Sequence, residues 1–261
     1  MTVFKHEMKQ GKISLIIWTG AIAFLFLTCV LIYPEMRGSV DELNEMFASM
    51  GNFTQAFGMD KVNIGEFMGF YAVECGEILG LGGGIFAAML GVASLSKEER
   101  GRTAEFLLTH PVSRVSVAVQ KLLACVVQII IMNAAIFAVT AVSAIAIGEE
   151  PDFKILALFH LAYVFLQIEL AAVTFGISAF LRGGAIGIGI GAAALMYFLS
   201  LVSNMVESAE FLKYITPFGY TDGAQIVSDG ALEWKLIALG AVYSAAAITC
   251  GLIKYTKKDI A

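Results

Sequence analysis

The stretch AIGIGIGAAALMYFLSLVSNM, residues 185–205, carries no charged side chain. A helix rises 1.5 Å per residue, so about 20 consecutive apolar residues cross the ~30 Å hydrocarbon core of a bilayer. Five further stretches of this kind stand at 13–33, 67–94, 115–147, 153–181 and 232–253. Together they predict an all-α polytopic membrane protein. The short joins make 1–261 a single transmembrane domain, with no room for a separate soluble unit.

Composition agrees with this reading. Hydrophobic residues make up 58% of the chain, charged ones 15%, and the mean hydropathy is +0.80. A soluble domain carries about 25% charged and about 45–50% apolar residues. The first stretch is about twice as long as the apolar core of a signal peptide. Tyr33-Pro34-Glu35-Met36-Arg37 follows it in place of a small-residue cleavage site, so it is expected to stay as a helix. Cys29, Cys75, Cys125 and Cys250 fall inside the spans without C-x-x-C spacing. They read as buried small apolar side chains, not as disulfide or metal partners.

Six spans put both ends of the chain on one side. That side holds twelve of the 17 Lys and Arg residues, among them Lys5, Lys9, Lys97, Arg100, Lys121, Lys254 and Lys258; Arg37, Lys61, Lys154, Lys213 and Lys235 fall on the other. Basic residues concentrate in cytoplasmic loops, so both termini are expected in the cytoplasm and the protein in the plasma membrane. The outer segments are acidic, with Asp41, Glu42, Glu149, Asp152, Asp222 and Asp229 among them. Such a surface excludes nucleic acid as a partner and leaves membrane lipid as one.

The most informative loop follows the second span: Ser96-Lys97-Glu98-Glu99-Arg100-Gly101-Arg102-Thr103-Ala104-Glu105-Phe106-Leu107-Leu108-Thr109-His110-Pro111-Val112-Ser113-Arg114. Ser96 with Glu99 three residues later is a capping box, which starts a helix. Pro111 disfavours helix at His110 and ends it. A short, charged helix with Phe106 and Leu107 near its end, too small to fold alone, suits docking onto another protein.

The acidic-Arg-Gly-x-Thr stretch, then Glu-Phe-Leu-Leu, then Pro-Val-Ser-Arg, resembles the coupling-helix loop of ABC-2 type permeases. It departs from them at Arg102-Thr103, where many members read Gly-Thr directly. The Lys-rich N-terminus, the long acidic first outer loop, the Gly-rich second span and Thr216-Pro217-Phe218 extend the resemblance over most of the chain. It implies a non-enzymatic permease half that pairs with a second permease, expected to be a homodimer, and with two copies of a cytoplasmic ABC ATPase. ATP and magnesium would bind that separate chain, since no G-x-x-x-x-G-K-[ST] string occurs here. Glu98, Glu99, Arg100, Gly101, Thr103, Glu105, Phe106, Leu107, Pro111 and Arg114 would form the docking site. The cargo implied is amphipathic or hydrophobic, on the peptide and bacteriocin export branch. Drug efflux and bacteriocin immunity are alternatives in the same class. An ATP-independent scaffold or an intramembrane enzyme are alternatives from another.

Other patterns fail their context. Gly187-Ile188-Gly189-Ile190-Gly191-Ala192 matches a dinucleotide fingerprint but lies inside an apolar span instead of between a strand and a helix. Glu98-Glu99 would need Arg at 103 for an intramembrane-protease motif, and Thr103 stands there. His6, His110 and His160 share no ligand spacing.

Gly76, Gly80 and Gly84 in the second span, with Gly183, Gly187 and Gly191 in the fifth, form small-x-x-x-small stripes that let helix backbones approach closely. A carboxylate inside a span costs at least ~2.5 kcal/mol at its centre and so faces a bundle interior or a cavity. Glu74 and Glu77, three residues apart on one helix face, and Glu169 are candidates for the translocation path, or for hydrogen bonds between helices. Glu66 reads as interfacial. Residues 40–57 form an amphipathic pattern, and Phe211, Leu212, Tyr214, Ile215 and Phe218 give the last outer loop a similar apolar surface.

The orientation has a direct check. A cysteine placed at Ser39 or Asp229 should react with membrane-impermeant thiol reagents on intact cells, and one at Thr103 should not. The reverse labelling pattern would overturn it.

Overall fold

A computed structural model of the chain describes residues 2–38, 51–97, 112–181 and 186–258. Six helices answer the six apolar stretches: α1 (Thr2–Arg37), α2 (Phe67–Ser94), α3 (Arg114–Ala146), α4 (Phe153–Ser178), α5 (Ile186–Met205) and α6 (Trp234–Lys257). Shorter helical turns at Asn52–Ala56, Glu207–Tyr214, Pro217–Tyr220 and Gly223–Asp229 complete the described regular structure, which contains no strand.

Helix starts follow local chemistry. The Ser113 hydroxyl accepts from the Ser116 amide at 3.2 Å, and Asp152 Oδ1 accepts from the amides of Lys154 and Ile155 at 2.8 and 3.2 Å. Each satisfies backbone donors that the first turn leaves without intrahelical partners. The helix α1 runs well beyond the predicted 13–33, because the polar segment before Lys12 continues the same helix out of the apolar zone. Its Pro34 lies in the last turn, close to where the helix ends. Ser96 is buried and its hydroxyl donates back to the Val92 carbonyl at 2.8 Å, finishing α2. Its expected capping partner Glu99 lies outside the described residues.

The helices α2 and α4 are the interior of the bundle. In each, 61% of the apolar window is buried, against 39% in α3 and 17% in α1, α5 and α6. The helix α4 packs on α2, α3 and α6, while α1 lies along α3 and α5 along α2. Small residues make the central seam possible. A Cβ on Gly91 would stand 2.2 Å from the Ala171 carbonyl oxygen, and one on Gly76 would stand 2.8 Å from the Tyr163 hydroxyl. Gly80 and Gly84 likewise face Tyr163, Phe218 and Leu170. The stripe expected in the second span is therefore a packing surface, and it packs within this chain.

The stripe expected in the fifth span differs. Gly187 and Gly191 have nothing within 4 Å of an added Cβ, whereas Gly189 would meet the Ala88 carbonyl oxygen at 2.9 Å and Val92 at 2.8 Å. The turn of α5 against α2 selects the intervening glycine and leaves Gly187 and Gly191 on the outer face. Two further placements depart from expectation. Phe218 is buried against the α2 glycines and is not part of an outer apolar surface. Cys250 is exposed and Cys29 half-buried, with Cys75 and Cys125 alone buried as expected. His160 is a core histidine whose Nε2 shares a hydrogen bond with the Tyr71 hydroxyl at 2.9 Å; that hydroxyl also reaches Thr140 at 3.2 Å, tying α2, α3 and α4 together.

The middle of α2 is not α-helical throughout. Ile78–Gly83 is a π-helical turn between the α-helical Phe67–Glu77 and Gly84–Ser94. Such insertions loosen the regular backbone ladder and cluster at functional sites. Here the Gln167 side chain from α4 donates to the Leu79 carbonyl at 3.5 Å and accepts from Asn133 at 2.6 Å. Gly83 makes room for it, since a Cβ there would lie 2.2 Å from Gln167 Nε2.

The seam predicts a contrast. Gly91→Leu should destabilise the purified protein by about 3 kcal/mol, the upper end of overpacking costs, because it drives a side chain into a neighbouring backbone. Gly187→Leu should leave thermal unfolding of the monomer unchanged. Equal melting of the two variants would refute the assigned seam.

Candidate translocation site and coupling end

Two of the three expected carboxylates are held by tyrosines from other elements. The Tyr197 hydroxyl, from α5, donates to Glu77 Oε2 just before the π-helical turn. The Tyr220 hydroxyl donates to Glu169 Oε2 at 2.8 Å. Glu169 is 5% exposed and presses on Gly240 of α6, where an added Cβ would lie 2.0 Å from Oε2. A carboxylate sealed this way needs a hydrogen-bond donor, and the phenol supplies it. Glu74 has a different setting. It is exposed on the surface of the single chain, so its three-residue spacing from Glu77 does not place the two in one pocket.

Glu77 lines a cavity of about 40 Å³ with Gly76, Tyr163, Tyr197, Asn204 and Asp222. That volume admits a few water molecules, at about 10–15 Å³ each. It does not admit a folded or extended cargo. The segment after α5 roofs it. The Thr216 hydroxyl donates to the Met196 carbonyl at 2.8 Å and accepts from the Phe218 amide at 3.3 Å. This pins Pro217 and Phe218 inward, with the Phe218 ring edge-on to Tyr197 at 5.5 Å. Asp222 caps the short helix Gly223–Asp229 through the Gln225 amide at 3.1 Å and pairs with Lys61 at 2.5 Å. Glu66 stays exposed at the start of α2, as expected of an interfacial residue.

At the opposite end of the bundle, Glu7 of α1 receives two lysines. Lys97, just past α2, hydrogen-bonds its Oε2, and Lys121 of α3 approaches Oε1 at 3.2 Å. The Lys121 side chain is 1% exposed, and its ammonium also donates to the Ser94 carbonyl at 2.8 Å. Three helix ends meet at one carboxylate. Nearby, Arg114 donates to the carbonyls of Tyr255, Thr256 and Lys258 at 3.3, 3.4 and 2.6 Å, covering the end of α6. Lys258 in turn donates to the Leu181 carbonyl at 2.7 Å. Both ends of the described chain and both flanks of the loop 98–111 thus share one end of the bundle.

A family model described as ABC-2 family transporter protein matches residues 1–260. The chain belongs to the ABC-2 transporter family. No curated protein matches it. As a member it is a multi-pass transmembrane subunit of an ABC transporter, a kind of subunit that works with an ABC ATPase. Of the docking residues read from the sequence, Glu98, Glu99, Arg100, Gly101, Thr103, Glu105, Phe106, Leu107 and Pro111 lie outside the described residues. Arg114 is described, and its guanidinium is engaged by the end of α6.

Sequence reasoning singled out the carboxylates of this ABC-2 permease but missed Tyr197, Tyr220, Asn133 and Glu7. Each contact joins residues dozens of positions apart, and no local period announces it. An acidic residue within a Lys-rich N-terminus was the one available hint for Glu7.

Removing Glu7 leaves a buried ammonium short of its countercharge, which costs about 3–5 kcal/mol when one partner of a buried pair is lost. Glu7→Gln should therefore lower the unfolding temperature clearly, and Glu7→Gln with Lys121→Met should recover most of it. No recovery in the double variant would mean that the pair is not coupled.

Proposed function

We propose that this ABC-2 subunit is the permease of an exporter that moves an amphipathic or hydrophobic substrate, in the first instance a peptide, out of the cell. ATP would be hydrolysed on two copies of a separate ATPase docked at the end of the bundle that holds Glu7, Lys97 and Lys121. That end is then cytoplasmic, in line with the distribution of Lys and Arg.

One observation carries the reading. On α2 a stripe of Glu74, Ile78, Leu81, Ile85 and Met89 stays wholly or partly exposed. It lies between the contacts made with α1 through Trp18 and Phe86, whose rings are 5.9 Å apart, and those made with α5 through Glu77 and Tyr197. A carboxylate open to hydrocarbon is costly, so a second copy facing this stripe supports a shared, partly polar conduit. Within each chain the conduit is closed by Phe218 and by the two tyrosine–carboxylate pairs, which suits a resting state. Opening would require the segment that carries Phe218 and Tyr220 to withdraw, releasing Glu169. Exposed Phe211, Tyr214 and Ile215 on the adjoining outer turn offer an apolar exit surface to an amphipathic cargo.

Co-expression with a candidate ABC ATPase from the same genome should yield a complex with two copies of each chain on native mass spectrometry. In that complex Glu77→Gln or Glu169→Gln should leave assembly and basal ATP hydrolysis nearly intact. Stimulation of hydrolysis by cationic amphipathic peptides should fall at least severalfold. Unchanged stimulation would remove these carboxylates from transport, and loss of assembly would assign them to structure.

A further inference from the structure

An apolar recess lies on the outer face of the bundle between α4 and α6. These two helices cross at backbone contact. A Cβ on Gly176 would stand 2.6 Å from the Ala247 carbonyl oxygen, and one on Gly251 would stand 2.9 Å from Gly176 Cα. Because the crossing residues are so small, the larger side chains to one side leave a groove of about 410 Å³, walled by Val173, Ile177, Phe180, Ala247 and Cys250. It opens sideways, toward hydrocarbon, and its walls present almost no polar atom.

The groove has a defined end. On α6, Ala247, Cys250 and Lys254 follow one another at helical spacing, so the apolar wall leads to a cation in the last turn. Lys254 Nζ lies 5.7 Å from the centroid of the Phe180 ring that closes the groove on the α4 side. Phe180 is 59% exposed, and Lys254 and Cys250 are exposed as well. An apolar channel of acyl-chain character, with an ammonium at headgroup depth, matches a two-part ligand: a hydrocarbon tail and an anionic head.

We propose that this groove is a binding site for one anionic phospholipid. An acyl chain lies against Val173, Ile177, Ala247 and Cys250, and the phosphate faces Lys254. Phe180 holds the ammonium by a cation–π contact at the groove mouth. Charge complementarity selects this occupant: zwitterionic lipid would fill the channel equally well but gain less from the ammonium. One basic group near an anionic headgroup contributes about a fivefold preference. The site is separate from the open stripe on α2, since α4 and α6 present it on another side of the bundle.

The test uses the full chain reconstituted in nanodiscs containing equal amounts of phosphatidylglycerol and phosphatidylcholine with identical acyl chains. The lipid retained after transfer to detergent is then measured by native mass spectrometry. The wild type should keep one lipid per chain, with phosphatidylglycerol favoured about fivefold. Lys254→Gln should keep a lipid but lose the preference. Cys250→Phe, on an exposed face where it does not disturb the crossing, should lose the retained lipid while the protein elutes unchanged. Equal retention of both lipids by the wild type would overturn the proposal. So would retention unaffected by Cys250→Phe, or protection of Cys250 from alkylation by a second copy of the chain.

Discussion

In hydrocarbon there is no water to satisfy a polar atom, and the contact between α2 and α4 is arranged around that constraint. Gly91 lets the two backbones meet at the Ala171 carbonyl, and Gly76, Gly80 and Gly84 admit aromatic and aliphatic side chains to van der Waals distance. Close approach replaces the hydrophobic drive that helices lose once lipid surrounds them. It also brings polar groups within reach of one another. Gln167 can span from the Leu79 carbonyl to Asn133, and Tyr71 can reach both His160 and Thr140. Without Gly83, Gln167 would have no room to reach the Leu79 carbonyl of the π-helical turn.

The same seam divides the molecule into an inside and an outside. The helices α1, α5 and α6 wrap it and turn apolar faces outward, with Ile13, Phe24, Phe198 and Val242 all more than half exposed. On such faces exposure is the ordinary state of a lipid-facing residue. An exposed Glu74 is not ordinary on such a face, and the proposal of a conduit shared between two copies starts from it. The end at Phe218 is closed by inserted aromatics held by tyrosine–carboxylate pairs. The other end is held by ion pairs converging on Glu7. The two ends differ in chemistry: aromatic packing, phenol–carboxylate hydrogen bonds and the Lys61–Asp222 pair at one, two lysines converging on the Glu7 carboxylate at the other.

Much of this fold was legible along the chain because membrane insertion is a local problem. Whether 185–205 crosses the bilayer depends on its own length and polarity, and all six helices fall where the apolar stretches stand. The side on which the ends meet follows from counting spans. The glycine stripe of α2 was legible for the same reason, since four-residue spacing of small side chains produces a flat face wherever that helix packs. The stripe of α5 was not. Gly189 lies on a different face from Gly187 and Gly191, and only the rotation of α5 against Ala88 and Val92 decides which is used.

For the site, the sequence by itself determined that carboxylates at 77 and 169 must be accommodated, because their cost in hydrocarbon does not depend on the fold. Tertiary structure alone decided how: Tyr197 for one, Tyr220 and the space at Gly240 for the other, and exposure for Glu74. It likewise decided that Arg114 covers the end of α6, and that Glu7 draws Lys97 and Lys121 together. The reason is physical. A residue's polarity is written in its own side chain, but its partner is set by which helix faces meet, and those faces belong to segments far apart in the chain.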